Sequence, residues 1–142
     1  MSNRSEAEEI FKRMSKYTGL VVLGYNAASK GNSMTATEAQ ATIQEMVRRI
    51  VEKFDPVQII LFGSYARGTA GPDSDVDLLV VMPINNSHKE KNIEVSLELH
   101  AMGLAKDVFV VTPEEVQKYR DIVGSIIKTA VHEGKVLYER AA

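Results

Sequence analysis

The sequence predicts a small α/β (α+β) domain in which helices cover one sheet, and three observations predict it. Residues 57–62, 76–82 and 108–111 are runs of strand length that are apolar except for Gln58 and Asp77 and rich in Val, Ile and Leu, as in strands buried on both faces. Between and around them, apolar residues recur at helical spacing. Gly or Pro marks most changes from one pattern to the other, at Pro56, Gly63, Pro83, Pro113 and Gly134. A chain of 142 residues has the length for one domain with one core.

Residues 1–33 form an N-terminal extension, read as loosely attached or as one extra helix. Ile10, Phe11, Met14 and Tyr17 make one apolar stripe, but Gly19, Gly24 and the run 29–33 interrupt it. Met34 is a possible natural start, and the domain proper is 34–142. Thr35 followed by Glu38 has the form of a capping box. Ile43, Met46, Val47, Ile50, Val51 and Phe54 then give a helix one buried face, and Asp55-Pro56 ends it. The strand at 57–62 is broken by Gly63-Ser64, and Pro83 closes the strand at 76–82. Residues 84–91 read as a polar loop, and Ile93, Leu97, His100, Ala101 and Leu104 give a helical pattern ending near Gly103. After the strand at 108–111, Thr112-Pro113-Glu114-Glu115 is a complete helix start. Apolar spacing carries that helix to residue 131, with a bend near Gly124. Gly134 is placed as its C-cap, and residues 135–139 form a short edge strand in which Val136 and Tyr138 alternate against Leu137.

Composition narrows the function. Net charge is −2, so the basic footprint of a dedicated nucleic-acid binder is missing. With no Cys, disulfides, thiolate metal sites and thiol nucleophiles are excluded. No apolar run reaches the roughly eighteen residues that a membrane span requires, and a cytoplasmic protein is expected. His88, His100 and His132 lack metal-ligand spacing and read as structural or surface residues; Met46 and Met102 read as core.

The chemistry concentrates in Gly63-Ser64-Tyr65-Ala66-Arg67-Gly68-Thr69-Ala70-Gly71-Pro72-Asp73-Ser74-Asp75-Val76-Asp77. A strand delivers Gly63-Ser64, where a missing side chain lets the backbone approach a phosphate and a hydroxyl adds a hydrogen bond. Strand alternation puts Asp75 and Asp77 on one face. Adjacent carboxylates repel, and a divalent cation relieves that repulsion; Mg²⁺ takes hard oxygen ligands beside substrate phosphates. Two-metal chemistry needs a further carboxylate, and Asp107, leading an otherwise apolar strand, is the candidate. Plainer roles stand beside these: a turn-and-cap for Asp73-Ser74-Asp75, a turn serine at 64, pairing of Asp107 with Lys106 or Lys135, and a solvated Arg67.

Gly63-Ser64, ten intervening residues and Asp75-x-Asp77 in an apolar strand resemble the signature of the polymerase-β-type nucleotidyltransferase superfamily. The wording Gly-Ser-x-Ala-x-Gly and Ser-Asp-x-Asp-Leu is most similar to its minimal, MNT-type members, and the resemblance runs from about Met34 to Arg140. It implies a nucleotidyltransferase fold with a small mixed sheet. It implies that Gly63 and Ser64 bind the triphosphate; Arg67, in the loop that follows, is a further candidate for a phosphate contact. It further implies that Asp75, Asp77 and Asp107 hold Mg²⁺, as two ions, with ATP or another NTP as substrate, and that Asp107 helps to activate the attacking hydroxyl.

Minimal members of that family sit beside HEPN-domain ribonuclease toxins and can transfer AMP to them. The resemblance therefore implies an antitoxin whose protein partner is a HEPN-domain toxin. Two other roles are open: a non-catalytic antitoxin that occludes its partner, and a small-molecule (antibiotic) nucleotidyltransferase, which commonly has an added helical domain for its acceptor.

Overall fold

The computed structural model describes residues 35–141, and the readings of residues 1–33 and of Met34 lie outside them. Among the described residues, five helices and four strands follow in the order α1 (Ala36–Phe54), β1 (Gln58–Phe62), α2 (Ser64–Arg67), β2 (Val76–Val81), α3 (His88–Glu98), β3 (Lys106–Val111), α4 (Pro113–Tyr119), α5 (Ile126–Glu133) and β4 (Lys135–Glu139). The sheet is mixed, ordered β3-β2-β1-β4, with β2 and β3 parallel and the other pairs antiparallel. Among the described residues no helix is long and apolar enough to cross a membrane.

Each face of the sheet carries its own apolar layer. On one face, Ile59, Leu61, Leu78, Val80 and Val110 pack with Ile43, Met46, Val47 and Ile50 of α1, with Val95 of α3 and with Leu99 at its C-cap. On the other, Ile60, Phe62, Leu79, Val81 and Val111 pack with Val116 of α4 and with Ile127 and Ala130 of α5. This double burial is why β1 and β2 are apolar at nearly every position, Gln58 and Asp77 excepted. Asp77 and Asp107 fall on the α4–α5 face by strand alternation, two residues before Leu79 and Phe109.

The expected caps form. Thr35 Oγ1 accepts from the Glu38 amide at 3.1 Å. At Thr112 the whole box is made, with Glu115 N–H donating to Thr112 Oγ1 and Thr112 N–H to Glu115 Oε1. His88 Nε2 lies 2.7 Å from the same Glu115 Oε1, tying the start of α3 to the start of α4. His132 and His100 are exposed as well, so the three histidines are surface groups.

Four local expectations are corrected. Residues 88–91 are helical, not loop, because Ser87 Oγ accepts from the Glu90 amide at 3.1 Å and starts α3 one turn early. The stripe through Ile93 and Leu97 faces outward, 49% and 68% exposed; Val95 and Leu99 are the buried pair. Asn92 on α3 then accepts from Val110 N–H at 2.8 Å, occupying a donor on an edge strand. The bend near Gly124 is a full break, since α4 ends at Tyr119 and Ser125 caps a separate α5. In β4, alternation fails at a bulge: Ile59 pairs with Tyr138 and Ile60 with Val136, so the consecutive Leu137 and Tyr138 join the same apolar layer.

Gly134 caps α5 as expected, but with φ −85° and ψ 178°, a conformation open to any residue. The reason for glycine is space. A Cβ would stand 2.4 Å from the Ala130 carbonyl oxygen and 2.7 Å from that of Leu61, both backbone atoms that cannot give way. Gly134→Ala is expected to lower stability by about 1–3 kcal/mol. Thermal unfolding followed by circular dichroism should show a midpoint lower by roughly 5 °C or more.

Candidate active site

β1 ends at Phe62, and the chain reverses through Gly63 at φ 76° and ψ −155°, a region that in practice only glycine occupies. The single turn α2 follows, held by Arg67 N–H to the Gly63 carbonyl at 3.0 Å and anchored by the buried Tyr65 and Ala66. Thr69 N–H returns to the Ser64 carbonyl at 3.0 Å. Gly71 N–H donates to Ser74 Oγ at 2.8 Å, which closes the loop before Asp75. Val76 N–H then donates to the Ala105 carbonyl at 2.8 Å, locking the start of β2 to the approach of β3.

This folding brings the predicted residues together. Phe62 pairs with Asp77 across β1 and β2, and Asp77 pairs with Asp107 across β2 and β3. One cleft of about 490 Å³ is lined by Gly63, Ser64, Arg67, Asp75, Asp77 and Asp107 together with Phe62, Phe109, Ile126 and Thr129. All six candidate residues therefore share one cleft. Asp77 is half-buried, while Asp75 and Asp107 are exposed. Gly63 lies so close beneath Asp77 that a Cβ there would be 2.1 Å from Asp77 Oδ2. The turn and the carboxylate are thus one steric unit.

The sequence reading missed the four remaining residues. Phe109 was legible as the next residue on the Asp107 face of β3. Phe62 and Phe109 meet with ring centroids 5.8 Å apart and form an apolar wall. Ile126 and Thr129, three apart on α5, come from a helix far along the chain, and their spacing gives no sign of which sheet end they overhang.

Electrostatically the cleft is acidic. Partial burial raises the Asp77 carboxyl above its ordinary value; Asp107 and then Asp75 raise it further, and Arg67 pulls the other way. Among the described residues none of the three carboxylates is in an ion pair. The expected alternatives for Asp107 at Lys106 and Lys135 are therefore not made. Nor, among the described residues, do three such side chains converge at metal-ligand spacing. An all-oxygen set of three carboxylates on one cleft fits the donor chemistry of Mg²⁺.

Comparison with known proteins decides the family. The profile described as "Nucleotidyltransferase domain" matches residues 43–137. The chain belongs to that family. A nucleotidyltransferase domain is thus an enzyme of nucleotidyl transfer, and its profile spans β1, the Gly63–Ser64 turn, β2 and β3. A Methanocaldococcus jannaschii protein, provisionally named a protein adenylyltransferase, is 32% identical over 105 residues, 69% of this chain and 70% of that protein. A crystal structure of a Sulfolobus solfataricus protein, provisionally named a nucleotidyltransferase, matches with a TM-score of 0.53 over 80% of this chain and 94% of that one. At 19% identity that second likeness speaks for the nucleotidyltransferase fold.

Proposed function

We propose that this nucleotidyltransferase is a cytoplasmic, Mg²⁺-dependent enzyme that transfers AMP from ATP to a hydroxyl of a partner protein, a HEPN-domain toxin, and so acts as its antitoxin. One observation carries the transfer site: the Gly63–Ser64 turn, Arg67 and three carboxylates line a single cleft. The choice of ATP and of a protein acceptor is supported by the name of the 32% identical relative, a protein adenylyltransferase. The toxin partner is supported by the resemblance to minimal family members.

Gly63 and Ser64 take the triphosphate, with backbone close approach and a hydroxyl, and Arg67 adds positive charge at the rim. Asp75, Asp77 and Asp107 hold Mg²⁺, as two ions. When bound, the metal neutralises charge on the triphosphate and on the departing pyrophosphate. Asp107, exposed at the opening of β3, takes up the proton of the acceptor hydroxyl. The hydroxyl oxygen bonds to the α-phosphorus, the bond from that phosphorus to the bridging oxygen breaks, and pyrophosphate leaves. Such a reaction depends on positioning and electrostatics, which a rigid turn locked to a strand supplies.

The test is to incubate the protein with ATP, Mg²⁺ and a HEPN protein encoded beside it, and to record intact masses. An AMP-sized increment on the partner, absent with Asp75→Asn or Asp77→Asn, is the expected result. Full neutralisation of an unmodified partner by the Asp77→Asn variant would instead make the protein an occluding antitoxin. An increment on an antibiotic and none on protein would make it a small-molecule transferase.

A further inference from the structure

Among the described residues five large apolar side chains are exposed, and three of them crowd into one short span: Ile122 at 52%, Val123 at 84% and Ile126 at 41%. Apolar side chains exposed singly are ordinary, whereas a contiguous group rimmed by polar residues marks a contact surface. Asp121, whose side chain is 74% exposed, and His132 supply such a rim.

The span is held in place. Ile122 N–H donates to the Tyr119 carbonyl at 3.1 Å and Ser125 N–H to the Ile122 carbonyl at 3.0 Å. From α5, His132 Nε2 lies 3.0 Å from the Arg120 carbonyl oxygen and 2.9 Å from Asp121 Oδ1. Ser125 Oγ accepts from Ile127 N–H at 3.1 Å, setting the start of α5. The backbone of the span is thus tied down on both sides while its apolar side chains face out.

The surface is also continuous with the active cleft. Ile126 ends the exposed group and at the same time lines the cleft beside Asp107 and Thr129. The other two exposed apolar residues, Ile93 and Leu97, lie on α3, which covers the opposite sheet face. Ile126 thus joins the exposed apolar group to the cleft in which the carboxylates lie. Hydroxyl-rich or polycationic small molecules gain little from an apolar rim; a protein segment with an apolar side chain beside its hydroxyl gains burial.

We infer that Ile122, Val123 and Ile126 form the docking surface for the acceptor protein, seating an apolar segment next to the hydroxyl that receives the nucleotidyl group. The inference rests on the protein-acceptor reading above.

The experiment uses the full chain, ATP·Mg²⁺ and a HEPN-domain protein as acceptor, and measures initial transfer rate against acceptor concentration. The combined change Ile122→Ser and Val123→Asp is compared with wild type and with Leu97→Asp on the opposite face. The docking surface predicts that the double variant raises the acceptor KM by about tenfold or more, with kcat at saturating acceptor within about twofold. The thermal shift induced by ATP·Mg²⁺ should match wild type, which also reports a folded domain, and Leu97→Asp should leave the acceptor KM in place. An unchanged acceptor KM in the double variant overturns the inference while leaving the protein-acceptor reading intact. Failure of the wild type to modify the HEPN protein overturns that reading and the docking surface with it.

Discussion

Asp77→Asn is expected to reduce nucleotidyl transfer by about 10³-fold or more, and to make the metal-free protein more stable. The first effect follows from its place between Gly63 below and Asp107 beside it, where it is the central oxygen ligand of the proposed metal site. The second follows from its surroundings. Its carboxyl is raised by burial, by Asp107 and by Asp75, so without a cation its charged form works against folding. A neutral amide of the same shape should raise the unfolding midpoint by roughly 2–5 °C at neutral pH.

The sign with pH is fixed by the direction of that shift. A carboxyl raised in the folded state binds its proton more tightly there than in the unfolded chain. Its stabilising contribution is complete below the ordinary carboxylate range and is lost as pH rises through the raised folded value. The midpoint advantage of Asp77→Asn should therefore vanish at low pH and grow toward neutrality. Adding Mg²⁺ should reverse the order, by stabilising the wild type and not the variant. Scanning calorimetry at several pH values, with and without Mg²⁺, measures each of these.

Gly63→Ala is the second large effect. Position 63 has φ 76° and ψ −155°, where a side chain costs about 1–3 kcal/mol. The added Cβ would also lie 2.1 Å from Asp77 Oδ2, so either the turn or the carboxylate must move. Loss of about 1–3 kcal/mol of stability should accompany a fall in transfer of roughly 10²-fold. Gly71→Ala in the same loop is the matched control, because nothing lies within 4 Å of a Cβ there. Its rate should stay within about twofold of wild type and its midpoint nearly unchanged. Equal losses from both changes would mean that the Gly63–Asp77 contact is not what glycine provides.

Where the deciding physics is local, sequence already carries it. The double-sided burial of β2 shows in Val76 to Val81, and the Thr112 box shows in four consecutive residues. The Gly63–Ser64 turn and the Asp75–Asp77 pair lie within fifteen residues of one another, and alternation in β2 sets Asp77 on its face, with Asp75 just before the strand begins. Asp107 stood out as a charge before the apolar run 108–111, and the structure sets it in register with Asp77 in a strand that begins one residue earlier, at Lys106.

What stayed hidden depends on packing between distant segments. On α3, the pairs 93/97 and 95/99 have the same spacing, and only docking against α1 and the sheet selects Val95 and Leu99 as the buried pair. Ile126 and Thr129 reach the cleft because Ile127 and Ala130 turn the other side of α5 onto the sheet. Gly134 was legible as a C-cap, but its further role, an absent Cβ that makes room for the Ala130 and Leu61 carbonyls, was not. The β4 bulge has no signal in residue type at all.

The most direct test of the central claim, that this cleft is an NTP–Mg²⁺ site, is calorimetric titration with a non-cleavable ATP analogue bearing a methylene between its α- and β-phosphates. The cleft lined by Gly63, Ser64, Asp75, Asp77 and Asp107 predicts saturable binding to the wild type that requires Mg²⁺ and is lost in a combined Asp75→Asn and Asp77→Asn variant. Binding of equal strength without Mg²⁺, and in that variant, would contradict it.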